Sequence, residues 1–290
     1  MMKSFLGIIG GSGLYDLPGF GRAKWTPVNT PWGTPSDDLL IGELHGLPIA
    51  FLPRHGRGHK LSPSGINYRA NIDAMKRIGV TDLISLSACG SLREGLSPGM
   101  FVLVDQFLDK TFAREKSFFG NGCVAHVAFA EPVSPLLVGH VAAAARAEGI
   151  PFHRGGTYLA MEGPQFSTLA ESRIYKSWGC DVIGMTNMPE AKLAREAELC
   201  YATVAMVTDY DSWHLDHGTV DVSKVIATLL SNAEQAKHLI MRLAQDFPSE
   251  HEPCPIGSDR ALEHAIITSS QARDPALVAK LDAVAGRVLK

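Results

Sequence analysis

Short apolar runs alternate with amphipathic segments of helical period along most of the chain, from residue 4 to about residue 247. Apolar runs of this length, bounded by glycine and polar residues, are typical of buried strands in an α/β protein. The pattern therefore predicts an α/β fold with a central, largely buried β-sheet. The predicted strands are Ser4–Ile9, Leu39–Leu44, Pro48–Pro53, Leu83–Ala88, Phe101–Phe107, Thr157–Met161, Val182–Met185 and Cys200–Val207.

Five longer segments carry the helical pattern between these strands. The predicted helices are Gly65–Ile78, Pro135–Glu148, Ser167–Trp178, Pro189–Glu198 and Val222–Gln245. The last helix has the clearest pattern, because its apolar residues recur every three to four positions. Asp221 stands directly before it, and aspartate is a common residue at the first cap of a helix.

The composition changes after Phe247, where the segment PSEHEPCPIGSD is typical of a turn-rich linker. Two short helical patterns follow, at roughly Arg260–Ile266 and Pro275–Leu289. We therefore divide the chain into a main domain, 1–247, and a C-terminal helical extension, 248–290. The extension is too short to hold a core of its own, so we expect it to pack on the main domain or on a neighbouring subunit.

Composition and charge narrow the possible partners. The chain has 290 residues, of which 46% are hydrophobic and 20% charged, enough apolar material for one large core. Its 27 Lys and Arg residues against 30 Asp and Glu residues give a formal net charge of −3. This balance offers no broad basic surface for a nucleic acid or an anionic membrane, so any anion must be held by a local site.

The cysteines point to a reducing compartment. Five cysteines form no CxxC pair, which argues against a disulfide framework and against a structural zinc site. The apolar run before Gly10 is shorter than the core of a signal peptide, and no stretch approaches the length of a membrane span. We expect a cytoplasmic protein.

The first candidate for chemistry is GIIGGSG, Gly7–Gly13, directly after a predicted strand. Glycines let the backbone turn sharply, and free N–H groups together with the Ser12 hydroxyl can hold an anion. The segment is not a phosphate-binding loop of the GxxxxGK[ST] type, and Asp16 occupies the place of the third glycine of a dinucleotide motif. An ordinary strand-to-loop turn explains this motif equally well.

The second candidate is PRHGRGHK, Pro53–Lys60, the densest cationic cluster of the chain. Arginine offers a planar fork that suits two oxyanions, and histidine can donate or titrate, so phosphate is the natural guest of Arg54 and His55. A solvated surface loop is the alternative. A metal site is disfavoured, because no HExxH pattern or third ligand follows.

The third candidate is SLSACGSLREG, Ser85–Gly95, where another strand opens into small residues. Ser87 and the N–H of Ala88 can form a second wall of an anion site. Cys89 invites a nucleophile interpretation. We reject it, because the cysteine follows an apolar strand and nothing nearby resembles a base with an orienting partner beyond His55.

Three further motifs begin at predicted strand ends: MEGPQFST, GMTNMPEA and VTDYDSW. In an open α/β sheet, ligands bind in the crevice outside the carboxyl ends of the strands, so we expect these motifs to converge there. Asp209 and Asp211 share one face of an extended segment and can bind two adjacent polar atoms of a flat base. An Asx turn that closes the strand is the alternative.

Taken together and in this order, these motifs resemble the trimeric purine nucleoside phosphorylase family over about Gly7–Leu243. The resemblance is specific, because at least six separate motifs agree in order and spacing. It implies a nucleoside phosphorylase fold: a single α/β domain with a twisted central mixed β-sheet flanked by helices. It also implies a homotrimer, sometimes doubled to a hexamer.

The resemblance also implies the site residues. The phosphate site would consist of Ser12, Arg54, His55, Ser87, the Ala88 backbone and Thr186. In the nucleoside site, Phe166 would lie beside the base and Met185 beneath the ribose. Asp209 and Asp211 would face N7 and the 6-amino group of adenine, and His126 would reach the 5′-end pocket of the adjacent subunit.

Two positions suggest which nucleoside is used. Val222 stands where relatives that cleave 6-oxopurines carry a histidine for the ribose 5′-hydroxyl, and Ser167 stands where they carry a glutamate that contacts the base. Both argue for a 6-aminopurine with an apolar 5′ substituent. One residue departs from the family pattern: Gln165 replaces the common arginine of GPRF.

The implied activity is the reversible phosphorolysis of S-methyl-5′-thioadenosine to adenine and 5-methylthioribose 1-phosphate. Phosphate is a co-substrate, and no metal or organic cofactor is expected. Cationic Arg54 and His55 would position the phosphate, and Asp209 would protonate N7 if burial raises its pKa. The alternatives are a broad-range or 6-oxopurine phosphorylase, a hydrolytic nucleosidase and a non-catalytic nucleoside-binding module.

Overall fold

The computed structural model describes residues 2–11, 14, 17–214 and 222–289, apart from the side chains of Val222 and Lys224. Over these residues the chain forms an 11-stranded mixed sheet with helices packed on it. The strands are β1 (Leu6–Gly10), β2 (Gly21–Thr26), β3 (Leu39–Leu44), β4 (Leu47–Pro53), β5 (Asp82–Ser91), β6 (Phe101–Leu103), β7 (Gln106–Asp109), β8 (Phe152–Arg154), β9 (Thr157–Ala160), β10 (Val182–Gly184) and β11 (Cys200–Tyr210). The helices are α1 (Tyr68–Arg77), α2 (Pro135–Ala147), α3 (Leu169–Ser177), α4 (Asn187–Glu196), α5 (Val222–Asp246), α6 (Pro275–Lys280) and α7 (Asp282–Leu289).

The main path of the sheet runs in the order β2-β3-β4-β1-β5-β10-β9-β7. The long strand β5 lies at its centre, parallel to β1 and β11, and its last residues pair antiparallel with β10. Strand β11 continues the sheet through β6 to β8. The predicted α/β fold with a mixed central sheet is confirmed.

Burial explains why the central strands are nearly continuous apolar runs. All five residues of β1 and the first nine of β11 are buried, as expected for strands covered on both faces. Helices α4 and α5 both pack against β11. Helix α1 packs against α4, and helix α2 packs against α5.

The helix starts follow from local cap chemistry. Ser134 accepts a hydrogen bond from the Leu137 amide at the start of α2, with proline in the first turn. Thr168 and Glu171 form a capping box, so α3 begins at Leu169 rather than at Ser167. Asp221, the predicted cap of α5, lies outside the described residues.

Three predictions of secondary structure need correction. The predicted strand Phe101–Phe107 is two strands, because β6 pairs with β11 and β8 whereas β7 pairs with β9. Strands β2 and β8 were not predicted, since β2 is a largely exposed polar edge and β8 has only three residues. The predicted helix Arg260–Ile266 is a series of turns, in which Ile266 pairs with Ala125 in an isolated bridge.

The C-terminal extension packs on the main domain. Arg77 of α1 forms an ion pair with Asp282 of α7, and Arg287 of α7 pairs with the buried carboxylate of Glu198 at 2.6 Å. Among the described residues, no helix has both the length and the hydrophobicity needed to cross a membrane.

Candidate active site

The ends of β4, β5, β10 and β11 meet at a cavity of about 590 Å³. This is the place where the sequence analysis expected the motifs to converge. Nine of the predicted site residues line the cavity: Arg54, His55, Ser87, Ala88, Phe166, Met185, Thr186, Asp209 and Asp211.

Four predicted site residues are not among those nine. Ser12 lies outside the described residues, and Val222 begins α5 but its side chain is not described. Ser167 does not line the cavity, but its Oγ donates to Asp211, which does. His126 is exposed away from the cavity, and its backbone amide donates to the Ala265 carbonyl at 2.9 Å.

Arg54 is held in a buried network beneath the cavity. Its Nε lies 2.9 Å from Glu190 Oε2, its Nη1 donates to the Leu86 carbonyl at 2.9 Å, and its Nη2 donates to Ser85 Oγ at 2.6 Å. A guanidinium has five N–H donors, and one N–H of Nη1 has no acceptor among the described residues. Arg54 can therefore offer a single directed donor to a ligand, while Glu190 offsets most of its charge.

The surroundings of His55 favour its neutral form at neutral pH. Burial and the nearby charge of Arg54 lower its pKa to about 4, although the contact of Nδ1 with the Leu61 carbonyl at 2.9 Å favours the charged form. A carbonyl can only accept, so Nδ1 carries the proton and Nε2 is an acceptor. The sequence analysis expected a cationic His55, whereas the lowered pKa favours the neutral form.

A row of hydroxyl groups lies beside these basic side chains. Ser87 Oγ is 3.2 Å from Thr186 Oγ1 and 3.1 Å from the hydroxyl of Tyr158. Ala88 follows as an exposed residue in an otherwise buried part of β5 and lines the cavity. Hydroxyl and amide groups in this arrangement can bind an oxyanion without adding net charge.

Two carboxyl groups, Asp209 and Asp211, also line the cavity. A bulge in β11 leaves Thr208 unpaired, and Thr208 Oγ1 donates to Asp209 Oδ1 at 2.7 Å. Burial and the neighbouring Asp211 raise the pKa of Asp209 to about 6. Asp209 is therefore partly protonated near neutral pH.

Asp211 is fixed by its own partner. Ser167 Oγ donates to its carboxylate at 2.9 Å, and burial raises the pKa of Asp211 from its usual value. The Asp211 amide donates to the Ser91 carbonyl, so the backbone continues the strand pairing instead of closing an Asx turn at Asp209. Both carboxyl groups are thus available to the cavity.

Cys89 lines the same cavity as a protonated thiol. Burial and the charge of Asp209 raise its pKa well above the usual value. A nucleophilic cysteine needs a lowered pKa, so the environment of Cys89 agrees with its rejection as a nucleophile.

Apolar side chains of α5 form a further wall of the cavity. Val225, Leu229 and Ala233 stand four residues apart on α5 and contact the cavity together with Leu14. Val222 was the only residue of α5 that the sequence motifs placed at the site, so these contacts were not predicted. Phe166 lies at the mouth with 52% of its surface exposed.

Two further residues were missed by the sequence analysis, Glu190 and Tyr158. Glu190 is 1% exposed, and a carboxylate so deeply buried requires a cationic partner. Its burial results from packing between distant segments, so the motif GMTNMPEA alone could not link Glu190 to Arg54. Tyr158 could not be assigned to the site from the sequence either, because a tyrosine in an apolar strand is an ordinary core residue.

The model of the phosphorylase superfamily matches residues 5–245. The chain belongs to this superfamily. It is 68% identical to the S-methyl-5′-thioadenosine phosphorylase of Bradyrhizobium diazoefficiens and 65% identical to that of Cereibacter sphaeroides, in both cases over 100% of each chain. The family resemblance carried by the sequence motifs is thereby confirmed.

Solved structures of the superfamily are similar over nearly the whole chain. A methylthioadenosine phosphorylase from an antarctic soil metagenomic library superposes with a TM-score of 0.89 at 42% identity, covering 98% of this chain and 99% of that one. A mutant of the adenosine/methylthioadenosine phosphorylase from Schistosoma mansoni, in complex with methylthioadenosine, gives a TM-score of 0.82 at 36% identity. It covers 90% of this chain and 97% of that one.

Proposed function

We propose that the protein catalyses the reversible phosphorolysis of S-methyl-5′-thioadenosine to adenine and 5-methylthioribose 1-phosphate, in purine and methionine salvage in the cytoplasm. Phosphate is the co-substrate, and the reaction uses no metal or organic cofactor. The observation that carries the proposal is a single cavity lined by oxyanion donors, by a pair of carboxyl groups and by apolar side chains of α5. The names of the relatives support the same substrate.

At the phosphate end, binding rests on directed hydrogen bonds more than on charge. Arg54 contributes one N–H, and Ser87, Thr186 and the Ala88 backbone contribute further donors, with Ser12 added by the family resemblance. Neutral His55 accepts a proton from the incoming phosphate or takes one up when the anion binds, because a nearby negative charge raises the pKa of a histidine. This arrangement aligns phosphate with C1′ before the base departs.

At the base end, Asp209 is the general acid. A group with a pKa near the working pH is most effective in proton transfer, and the raised pKa of Asp209 meets this condition. Its acid form donates to N7 as the purine leaves, while Asp211 accepts from the 6-amino group. Phe166 packs beside the base and Met185 beneath the ribose.

At the 5′ end, the apolar wall of α5 receives the methylthio group. Val225 and Leu229 present hydrocarbon to the cavity, and the family resemblance adds Val222. A hydroxyl buried there without a partner would lose about 1–3 kcal/mol, so adenosine should be the poorer substrate.

We propose a homotrimer as the working assembly, alone or doubled to a hexamer. Leu169 and Ile174 of α3 and Trp178 directly after it are exposed large apolar side chains, which suit a subunit contact. His126 faces away from the cavity of its own subunit, and the family resemblance directs it to the neighbour's 5′-end pocket. Light scattering after gel filtration measures the assembly, and a monomeric mass would contradict it.

The direct test is adenine release from S-methyl-5′-thioadenosine with and without phosphate. We expect release that depends on phosphate and is faster than with inosine. Equal release without phosphate would indicate a hydrolase, preferred use of inosine would indicate a 6-oxopurine phosphorylase, and tight binding without release would indicate a binding module. Each of these outcomes contradicts the proposal.

A further inference from the structure

Tyr158 places a hydroxyl group behind the predicted phosphate site. The side chain lies on β9 and is completely buried, and its hydroxyl lies 3.1 Å from Ser87 Oγ. The backbone amide of Thr186 also donates a hydrogen bond to the phenolic oxygen. An amide N–H can only donate, so Ser87 Oγ is the acceptor for the phenolic proton among the described residues.

The phenol keeps its proton at neutral pH. Burial raises the pKa of Tyr158 to about 12. A buried O–H without an acceptor is costly, so Tyr158 must donate to Ser87 Oγ. The proton of Ser87 itself then points elsewhere, to Thr186 Oγ1 at 3.2 Å, to the Ala88 carbonyl at 3.3 Å or to a ligand in the cavity.

The surroundings leave the phenol little freedom to turn away. A Cβ atom at Gly184 would lie 1.9 Å from the Tyr158 hydroxyl oxygen, so the hydroxyl reaches Ser87 only because this position has no side chain. The Tyr158 ring also packs edge-on against Phe107, with a centroid distance of 6.0 Å. Ring and hydroxyl are thus fixed together.

We propose that Tyr158 is a positioning residue for phosphate: its hydroxyl donates to Ser87 Oγ and so directs the Ser87 proton to the bound anion. The inference deepens the proposed function and rests on it. Tyr158 touches neither phosphate nor nucleoside in this account. Its effect must therefore pass through Ser87, and this requirement makes the proposal testable.

The first test is Tyr158→Phe, which retains the ring and removes only the hydroxyl. We expect binding of inorganic phosphate, measured by calorimetry, to weaken by about 3- to 10-fold, the range of one ordinary hydrogen bond. The KM for phosphate should rise equally, while the KM for S-methyl-5′-thioadenosine and the melting temperature change little. The control is Tyr175→Phe, another buried tyrosine, whose side chain does not line the cavity.

The second test is a double-mutant cycle with Ser87→Ala. If Tyr158 acts through Ser87, adding Tyr158→Phe to Ser87→Ala should cause no further loss of phosphate affinity. The proposal would be overturned if the fold losses of phosphate affinity caused by the two substitutions multiplied in the double variant. Unchanged phosphate binding by Tyr158→Phe alone would also overturn it. Calorimetry needs no turnover, so failure of the proposed reaction would be seen separately, as absent adenine release by a wild-type protein that still binds phosphate.

Discussion

Arg54 and Glu190 form an ion pair that is almost completely removed from solvent. Their side chains are 2% and 1% exposed, and Nε lies 2.9 Å from Oε2. The pair joins the end of β4 to helix α4 beneath the candidate phosphate site. Arg54 contacts the cavity, and Glu190 holds the Arg54 side chain in place.

This pair predicts that stability and phosphate binding can be separated. Glu190→Gln leaves a buried guanidinium without its counter-charge and should cost on the order of 3–5 kcal/mol of unfolding free energy. The double variant Arg54→Met with Glu190→Met removes both charges and should recover most of that loss. Phosphate binding should stay weak in the double variant.

Urea denaturation and phosphate titration of both variants measure the two effects. If the double variant is no more stable than Glu190→Gln, the buried pair is not the source of the loss. If it binds phosphate as wild type does, Arg54 is not a ligand of the anion.

The neutral state of His55 predicts a pH dependence of stability. The histidine has a pKa near 6.5 in the unfolded chain and about 4 in the folded one, so the unfolded state binds the proton first as the pH falls. The wild type should therefore lose stability relative to His55→Gln between about pH 6.5 and pH 4. Denaturation curves of both proteins at several pH values check this, and a constant difference would refute a buried neutral His55.

The raised pKa of Asp209 predicts a pH dependence of activity. The acid form is lost above about pH 6, so kcat/KM should fall on the alkaline side with an apparent pKa near that value. Asp209→Asn should abolish this limb, lower turnover by about 10²- to 10⁴-fold and raise the relative use of inosine.

The free energy of unfolding of Asp209→Asn provides a control for its effect on activity. In the folded state Asp209 holds its proton up to a higher pH than in the unfolded state, so its contribution to stability falls as the pH rises from about 4 to 6. At pH 7, Asp209→Asn should therefore be at least as stable as the wild type. A destabilised variant with an unchanged pH profile would show that Asp209 is a structural residue.

The bond from Ser167 to Asp211 predicts an indirect effect on base choice. Ser167→Ala removes the hydroxyl that orients the Asp211 carboxylate, so the amino group of adenine loses a fixed acceptor. We expect kcat/KM for S-methyl-5′-thioadenosine to fall by about 3- to 10-fold, with the KM for phosphate unchanged. Steady-state kinetics with each substrate varied in turn measure both constants. If kcat/KM for S-methyl-5′-thioadenosine falls and the KM for phosphate rises by a similar factor, Ser167 does not act through the base site alone and this role is excluded.

The apolar wall of α5 predicts how the 5′ substituent is selected. Val225→His places a polar group where the cavity is hydrocarbon, so the ratio of kcat/KM for adenosine over S-methyl-5′-thioadenosine should rise by at least about 5-fold. The matched control is Leu230→His, on the exposed face of the same helix. If this ratio of kcat/KM values changes equally in Val225→His and Leu230→His, the apolar residues of α5 do not select the 5′ substituent.

Sequence patterns were sufficient for the buried central strands β1, β4, β5 and β11 and for the loops that follow them, but not for the exposed edge strand β2 or the short strand β8. The motifs around Arg54, Ser87 and Asp209 were placed at one sheet edge, because buried apolar runs that end in glycine and polar residues mark strand ends. Local patterns could not show which groups are buried against each other. The neutral state of His55, the pairing of Arg54 with Glu190 and the Tyr158 contact all depend on packing between segments far apart in the sequence.

The central claim is that phosphate attacks the sugar as adenine leaves, and phosphorus NMR of the complete reaction tests it most directly. Incubation with S-methyl-5′-thioadenosine should convert inorganic phosphate to a sugar phosphate ester, mole for mole with the adenine released. Inorganic phosphate that stays unchanged while adenine accumulates would contradict the account.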